Sequence, residues 1–330
     1  MKKLGIFGLA AVAFLAVGCQ STGVKPEASF EVSQLAPEMS VERIRRGVRE
    51  AKDLEFPTVT SDVSKVKRPA MAIFRPQGEG PFPALVLAHQ CGGLNNPSTG
   101  WQNFSMLEWA KKAVDRGYVV LLIDQLTQRG VPTRCKGKSG GLNFARATKD
   151  VLQAADHLRG LEFVDRNRIG VVGYSFGAML ALLSSSERWG KTLAPTGRFS
   201  AAVSFYPGCF TIRPGRGEPY EIVNADLNRP TLVLLGGKDG DTPAWECIKR
   251  LEIAKRKGSL VEWHLYPDAT HCWDCENLNG HSKVTHRGYR TTYYFDREVT
   301  QDSSRRMFAF LEKHLAKART VRPVDPESQK

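Results

Sequence analysis

From Lys67 onward, short apolar runs alternate with longer amphipathic ones, and that alternation restricts the possible fold more than any other feature. Ala84–Ala88, Tyr118–Ile123, Arg168–Gly173, Ala201–Phe205, Thr231–Leu235 and Val261–Tyr266 read as strands. Most are unbroken by polar residues, as strands covered on both faces are. Between them, Trp101–Arg116 repeats Phe104, Leu107, Ala110 and Val114 at helical spacing, and Asn143–Leu161 does the same with Ala147, Val151, Ala154, Ala155 and Leu158. Phe176–Ser186, Pro243–Lys257 and Asp302–Leu315 are further predicted helices. The pattern predicts a doubly wound, mostly parallel α/β sheet in one domain over residues 67–317. Functional residues then belong on loops that follow the carboxyl ends of strands. Ahead of the domain, a leader over 40–66 holds a short helix, Ser40–Ala51, with Ser40 as its N-cap. The charged tail 318–330 is expected to be disordered.

Gly173-Tyr174-Ser175-Phe176-Gly177 lies between the strand IGVV and the apolar helix AMLALLSSS. A G-x-S-x-G sequence is weak alone. In this context it is the sharp turn that lifts a serine hydroxyl out of a sheet toward a helix N-terminus. The alternative is a serine that merely caps the helix. A nucleophilic serine needs a base, and the base needs an orienting acid, in the chain order Ser, Asp, His. Asp239 follows the strand TLVLLG, 64 residues after Ser175, and His271 follows VEWHLY, 32 residues further on. Asp241 is the rival acid, although two residues before Pro243 it reads more naturally as a helix cap. His264 lies inside a strand, and His281, His286 and His314 follow no strand end in the required order. For the oxyanion, the Phe176 N–H comes directly after the nucleophile. The glycine-rich segment His89-Gln90-Cys91-Gly92-Gly93 offers the Cys91 N–H first and that of Gln90 second.

The segments PALVLAHQCGG, IDQLTQRG, IGVVGYSFG, LLGGKDGDTP and YPDATH together resemble the dienelactone hydrolase family of α/β-hydrolases, over roughly Lys67 to Leu315. The resemblance implies ester or lactone hydrolysis through an acyl-enzyme, with no metal or organic cofactor. Family members carry a cysteine nucleophile where this chain has Ser175, and an oxyanion-loop glutamate where it has Gln90. Of the arginines that hold the family's substrate carboxylate, one is replaced by Cys275, and Arg129 roughly matches the other. The expectation is therefore a broader serine ester hydrolase. Arg129, Gln90 and Tyr174 are candidate substrate contacts. The segment Cys272–Phe295 lies beside the base, so Trp273, Tyr289, Tyr293 and Tyr294 either line the pocket or simply pack.

The first 18 residues, MKKLGIFGLAAVAFLAVG, combine two lysines with an apolar stretch too short for a comfortable membrane span, and read as an export signal. Cys19 follows at once, which resembles a bacterial lipoprotein signal with Cys19 lipidated; an ordinary secretory signal is the alternative. Residues 19–39 then read as a tether, and the expected location is the periplasm or outer membrane. Seven cysteines less Cys19 leave six, an even number that suits disulfides in an oxidising compartment. Of about 15 connectivities open to six cysteines, Cys91–Cys135, Cys209–Cys247 and Cys272–Cys275 each join segments that the fold brings together. Cys272, Cys275, His281 and His286 form an alternative zinc set, at spacings too tight for a standard finger.

Hydrophobic residues at 42% and charged residues at 25% exclude a disordered, collagen-like or multi-span membrane chain. The net charge of +13, or +11 without Lys2 and Lys3, comes with no nucleic-acid-binding motif and reads as a basic surface. The alternatives to an ester hydrolase are a peptidase of the prolyl oligopeptidase type and a non-catalytic surface lipoprotein that kept the fold.

Overall fold

A computed structural model describes residues 35–36, 38–137, 140–194, 197–214, 217–285 and 288–316. The expected signal peptide, Cys19, residues 20–34 of the tether, His286 and the tail 318–330 lie outside the described residues.

Eight strands form the central sheet: β1 Thr60–Ser61, β2 Ala72–Phe74, β3 Phe82–Ala88, β4 Val119–Leu122, β5 Val164–Tyr174, β6 Ala201–Phe205, β7 Thr231–Gly236 and β8 Val261–Tyr266. Their order is β1-β2-β4-β3-β5-β6-β7-β8, and every pairing is parallel except β2 with β4. Order reverses at β3, so β3 and β5 are neighbours and their carboxyl ends open side by side. This is the topological switch at which an α/β sheet places its site. β5 and β6 are fully buried over their paired lengths, because α3 (Phe144–Arg159) and α4 (Phe176–Ser185) cover one face and α2 (Phe104–Asp115) and α7 (Arg297–His314) the other. The two faces bury separate apolar clusters, and the unbroken apolar strands divide their side chains between them.

The predicted helices are all present, with ends that differ by a few residues. α7 begins five residues before Asp302, because the side chain of Asp296 accepts from the Val299 N–H and caps it there. α1 (Val41–Gly47) is capped by Ser40, whose hydroxyl accepts from the Arg43 N–H. α5 (Glu187–Leu193), β1 and β2 were not foreseen; they are short and lack the long periodic signal of the others.

The three expected disulfides are formed: Cys91–Cys135, Cys209–Cys247 and Cys272–Cys275. The first closes a 44-residue separation, worth about 4 kcal/mol of unfolded-chain entropy. The last spans a separation of 3 and restrains little beyond its own loop. It also joins the two sulfurs of the alternative zinc set to each other.

Candidate active site

β5 runs straight into α4, and Ser175 is the turn between them. It sits at φ 51°, in the region L-residues avoid, so its side chain stands clear of the sheet. The turn is tight enough that a Cβ on Gly173 would lie 2.1 Å from the Gly177 carbonyl oxygen, and one on Gly177 2.1 Å from that of Ala88. Both positions therefore demand glycine. The Ser175 N–H donates to the Phe205 carbonyl at 2.9 Å, which ties the turn to β6.

The loops after β7 and β8 deliver the partners. His271 Nε2 lies 3.0 Å from Ser175 Oγ, and His271 Nδ1 lies 2.7 Å from Asp239 Oδ2. Asp239 Oδ1 accepts from the N–H groups of Asp241 (2.9 Å) and Thr242 (2.8 Å), and Thr242 Oγ1 donates to Oδ2 at 2.8 Å. The buried carboxylate is thus fully committed as an acceptor. It receives the Nδ1 proton of His271, which leaves Nε2 free to accept from serine. Burial works against a charge on His271, but Asp239, by charge and hydrogen bond, and Asp241, by charge, outweigh it and raise the pKa above 6.5.

The Cys91 peptide is aimed by its own neighbours. Buried His89 accepts the Gln125 N–H at Nε2 (3.1 Å), so its proton sits on Nδ1 and donates to the Gln90 carbonyl at 2.6 Å. The Gly93 N–H also donates to that carbonyl, at 3.1 Å. With the carbonyl held, the planar peptide fixes the direction of the Cys91 N–H. Burial lowers the His89 pKa, against the pull of Asp124, and keeps the ring neutral in this role. Among the described residues the Cys91 N–H has no internal acceptor, and the Phe176 N–H belongs to the first turn of α4, whose donors have no partner within the helix.

Ser175, His271, Gln90, Cys91 and Phe176 line a cavity of about 1680 Å³, with Trp101 and Tyr293 on its walls and Met39, the last residue of the tether, and Arg43 and Arg46 of the leader also lining it. The leader is therefore part of the site, which the sequence did not suggest.

Three expectations need correction. Arg129 does not reach the cavity: its guanidinium is buried against Asp150, with contacts of 2.8 and 2.9 Å, and also donates to the Lys52 carbonyl. It pins the leader to α3. Tyr174 is fully buried among Trp109, Phe205 and Tyr206, on the face of β5 away from the cavity. Asp241 does not cap α6 (Ala244–Arg256), whose N-cap position is Pro243; its carboxylate instead meets the Tyr293 hydroxyl and, at 2.7 Å, Lys283. In the segment after His271, Tyr293 lines the cavity, Trp273 is buried in the core, and Tyr289 and Tyr294 are exposed.

The sequence reading also missed Arg134. The Cys91–Cys135 disulfide and the Arg134 N–H bond to the Cys91 carbonyl (2.7 Å) carry its guanidinium over the Phe176 ring, 5.2 Å from the centroid. Arg134 lines the cavity and is buried, yet its Nε and one Nη have no hydrogen-bond partner.

Comparison with known proteins returns the same fold. The sequence model described as "Dienelactone hydrolase family" matches residues 70–315. Esterase 2 of Thermogutta terrifontis, phosphonylated by cyclosarin, superposes with a TM-score of 0.54 at 16% identity, covering 80% of this chain and 98% of that one. A propionate-bound form of the same Planctomycetes esterase gives 0.53 at 18% identity, covering 75% and 91%. Dipeptidyl-peptidase 5 of Porphyromonas endodontalis is 24% identical over 219 residues; the match takes in 58% of this chain but spans only 30% of that protein's length.

Proposed function

The chain belongs to the dienelactone hydrolase family, and from that membership we propose that it hydrolyses carboxylic esters or lactones through an acyl-enzyme on Ser175. The observation that carries this reading is the unbroken hydrogen-bond line from Asp239 through His271 to Ser175 at the cavity wall. His271 Nε2 takes the serine proton as Oγ attacks the carbonyl carbon. The Cys91 and Phe176 N–H groups donate hydrogen bonds to the oxygen on which negative charge develops. As the tetrahedral species collapses, the C–O bond to the alcohol breaks and His271 returns its proton to the leaving oxygen. Water then attacks the acyl-enzyme, with His271 again as base. Mixed rapidly with p-nitrophenyl acetate, the enzyme should release a stoichiometric burst of p-nitrophenol and carry one acetyl group by intact mass. No turnover across a panel of esters and lactones contradicts the reading.

His271 must be neutral to act, so activity falls as pH drops through its pKa. The acid limb of kcat/KM should have its midpoint above 6.5, and Asp241→Asn should move it down, because Asp241 helps hold the proton. A limb below 6.5 that Asp241→Asn leaves in place would show that the carboxylates do not govern the base.

The buried guanidinium of Arg134 narrows the substrate. A buried guanidinium with two nitrogens unpartnered on the cavity wall favours an ester that carries a carboxylate. With Arg134→Met, the kcat/KM ratio of a dicarboxylic half-ester to its neutral diester should fall roughly 10-fold or more. An unchanged ratio assigns the guanidinium to packing on Phe176.

The relative named a dipeptidyl-peptidase supports a second reading, peptide hydrolysis by the same serine; parallel assays on ester and dipeptidyl substrates decide between them. The proposal also places the enzyme outside the cytoplasm, anchored through lipid on Cys19. The N-terminal pattern and three disulfides support this location.

A further inference from the structure

Tyr206 closes β6 in a left-handed conformation, φ 42°, with its ring edge-to-face against His271 at 4.8 Å. Its hydroxyl donates to Asp274 Oδ1 at 2.7 Å and accepts from Gln90 Nε2 at 3.2 Å. Asp274 stands three residues after the base and is buried. Its second oxygen accepts from Trp109 Nε1 of α2 at 2.6 Å. Gln90 Oε1 in turn accepts from Asn103 Nδ2 at 2.5 Å. The loop between His271 and Asp274 is held at its own end too. Cys272 has φ 56° and is crosslinked to Cys275, whose sulfur lies 3.7 Å from Gln90 Nε2. A continuous path of contacts therefore joins the loop that carries the base to the residue whose carbonyl sets the Cys91 N–H.

We infer that Tyr206 and Asp274 are a positioning pair that locks the His271 loop to the Gln90–Cys91 peptide, so that base and oxyanion donors keep one mutual geometry. The inference rests on the serine hydrolase reading. A buried carboxylate is a poor way to fill space, since an apolar side chain of that volume packs at lower cost. What Asp274 supplies is direction: each oxygen takes one donor, from α2 and from the end of β6. Burial pushes its carboxyl above the ordinary range, against the opposing hydrogen bonds of Trp109 and Tyr206. Neither residue touches the reacting atoms, and both act through others.

The test uses the oxidised wild-type protein, Tyr206→Phe, Asp274→Asn and their double variant. Tyr206→Phe keeps the ring against His271 and removes only the link. Its kcat should fall roughly 10- to 100-fold, the scale of a small misplacement, with KM changed by less than about twofold. The midpoint of the acid limb should stay in place, because the carboxylates facing His271 are untouched. Asp274→Asn should match it, and the double variant should be no worse than the weaker single, as for two members of one path. Gln90→Met cuts the path at its other end and takes the place of Asp274→Asn if that variant loses its near-UV circular dichroism. Wild-type kcat in Tyr206→Phe, a change confined to KM, or additive losses overturn the inference. A wild-type protein that neither takes a fluorophosphonate nor turns over ester overturns the parent reading and the inference with it.

Discussion

Replacing Ser175 by alanine should lower kcat by about 10⁶-fold while leaving the melting temperature within a few degrees of wild type. The size follows from the role: without Oγ no acyl-enzyme forms, and only binding and the Cys91 and Phe176 donors remain to help a water molecule. The small effect on stability follows from the backbone. Alanine meets the same cost as serine at φ 51°, and the turn is held by Ser175 N–H to Phe205 and by the close passage of Gly177 against Ala88, none of which uses the hydroxyl. Steady-state kinetics beside a thermal melt check both halves. A variant that keeps a tenth of the activity would mean that the nucleophile lies elsewhere.

Asp239→Asn should cost about 10⁴-fold in kcat, the scale seen when a base is held in the wrong tautomer. Here the direction of the error can be read from the hydrogen bonds. Oδ1 is committed to two backbone N–H groups, so the amide oxygen of asparagine takes that side. Its NH2 then faces Nδ1 of His271, where Oδ2 stood at 2.7 Å. The imidazole must accept there, its proton moves to Nε2, and Nε2 can no longer take the serine proton. Asp239→Ala should lose activity without that enforced tautomer and retain more sensitivity to added carboxylate. Kinetics of the two variants with and without formate measure the difference. Equal, small losses would mean that Asp239 does not orient the base.

How much of this was legible depends on the range of the signal. Most of the six long strands and their helices announce themselves locally, because burial on both faces removes polar breaks and helices repeat at 3.6 residues; the edge strand Val261–Tyr266, with Glu262 and His264, is the exception. The Ser175 turn and the loops of Asp239 and His271 were legible for the same reason, since each follows directly on a strand that could be placed. Arg129 failed because a match of position in a loop says nothing about where a side chain points; Asp150, 21 residues on, takes it. Tyr174 was avoidable, since the residue one before the turn alternates to the opposite face of the strand. Asp241 misled through a cap preference that Pro243 and the Tyr293–Lys283 pair override. His89, Arg134, Tyr206 and Asp274 depend on contacts between segments far apart in the chain, and for Tyr206 and Asp274 the separation is 68 residues. No local pattern marks such residues. The cysteines did carry long-range information, because each of the three expected pairs joins segments that the predicted fold brings together, and all three are formed.

The central claim is that His271 and Asp239 make Ser175 nucleophilic. Intact mass after a fluorophosphonate probe, on the oxidised mature protein beside Ser175→Ala, tests it most directly. The account predicts one adduct per wild-type chain and none on the variant. A folded, oxidised wild-type protein without an adduct, or a variant that still takes one, would contradict it.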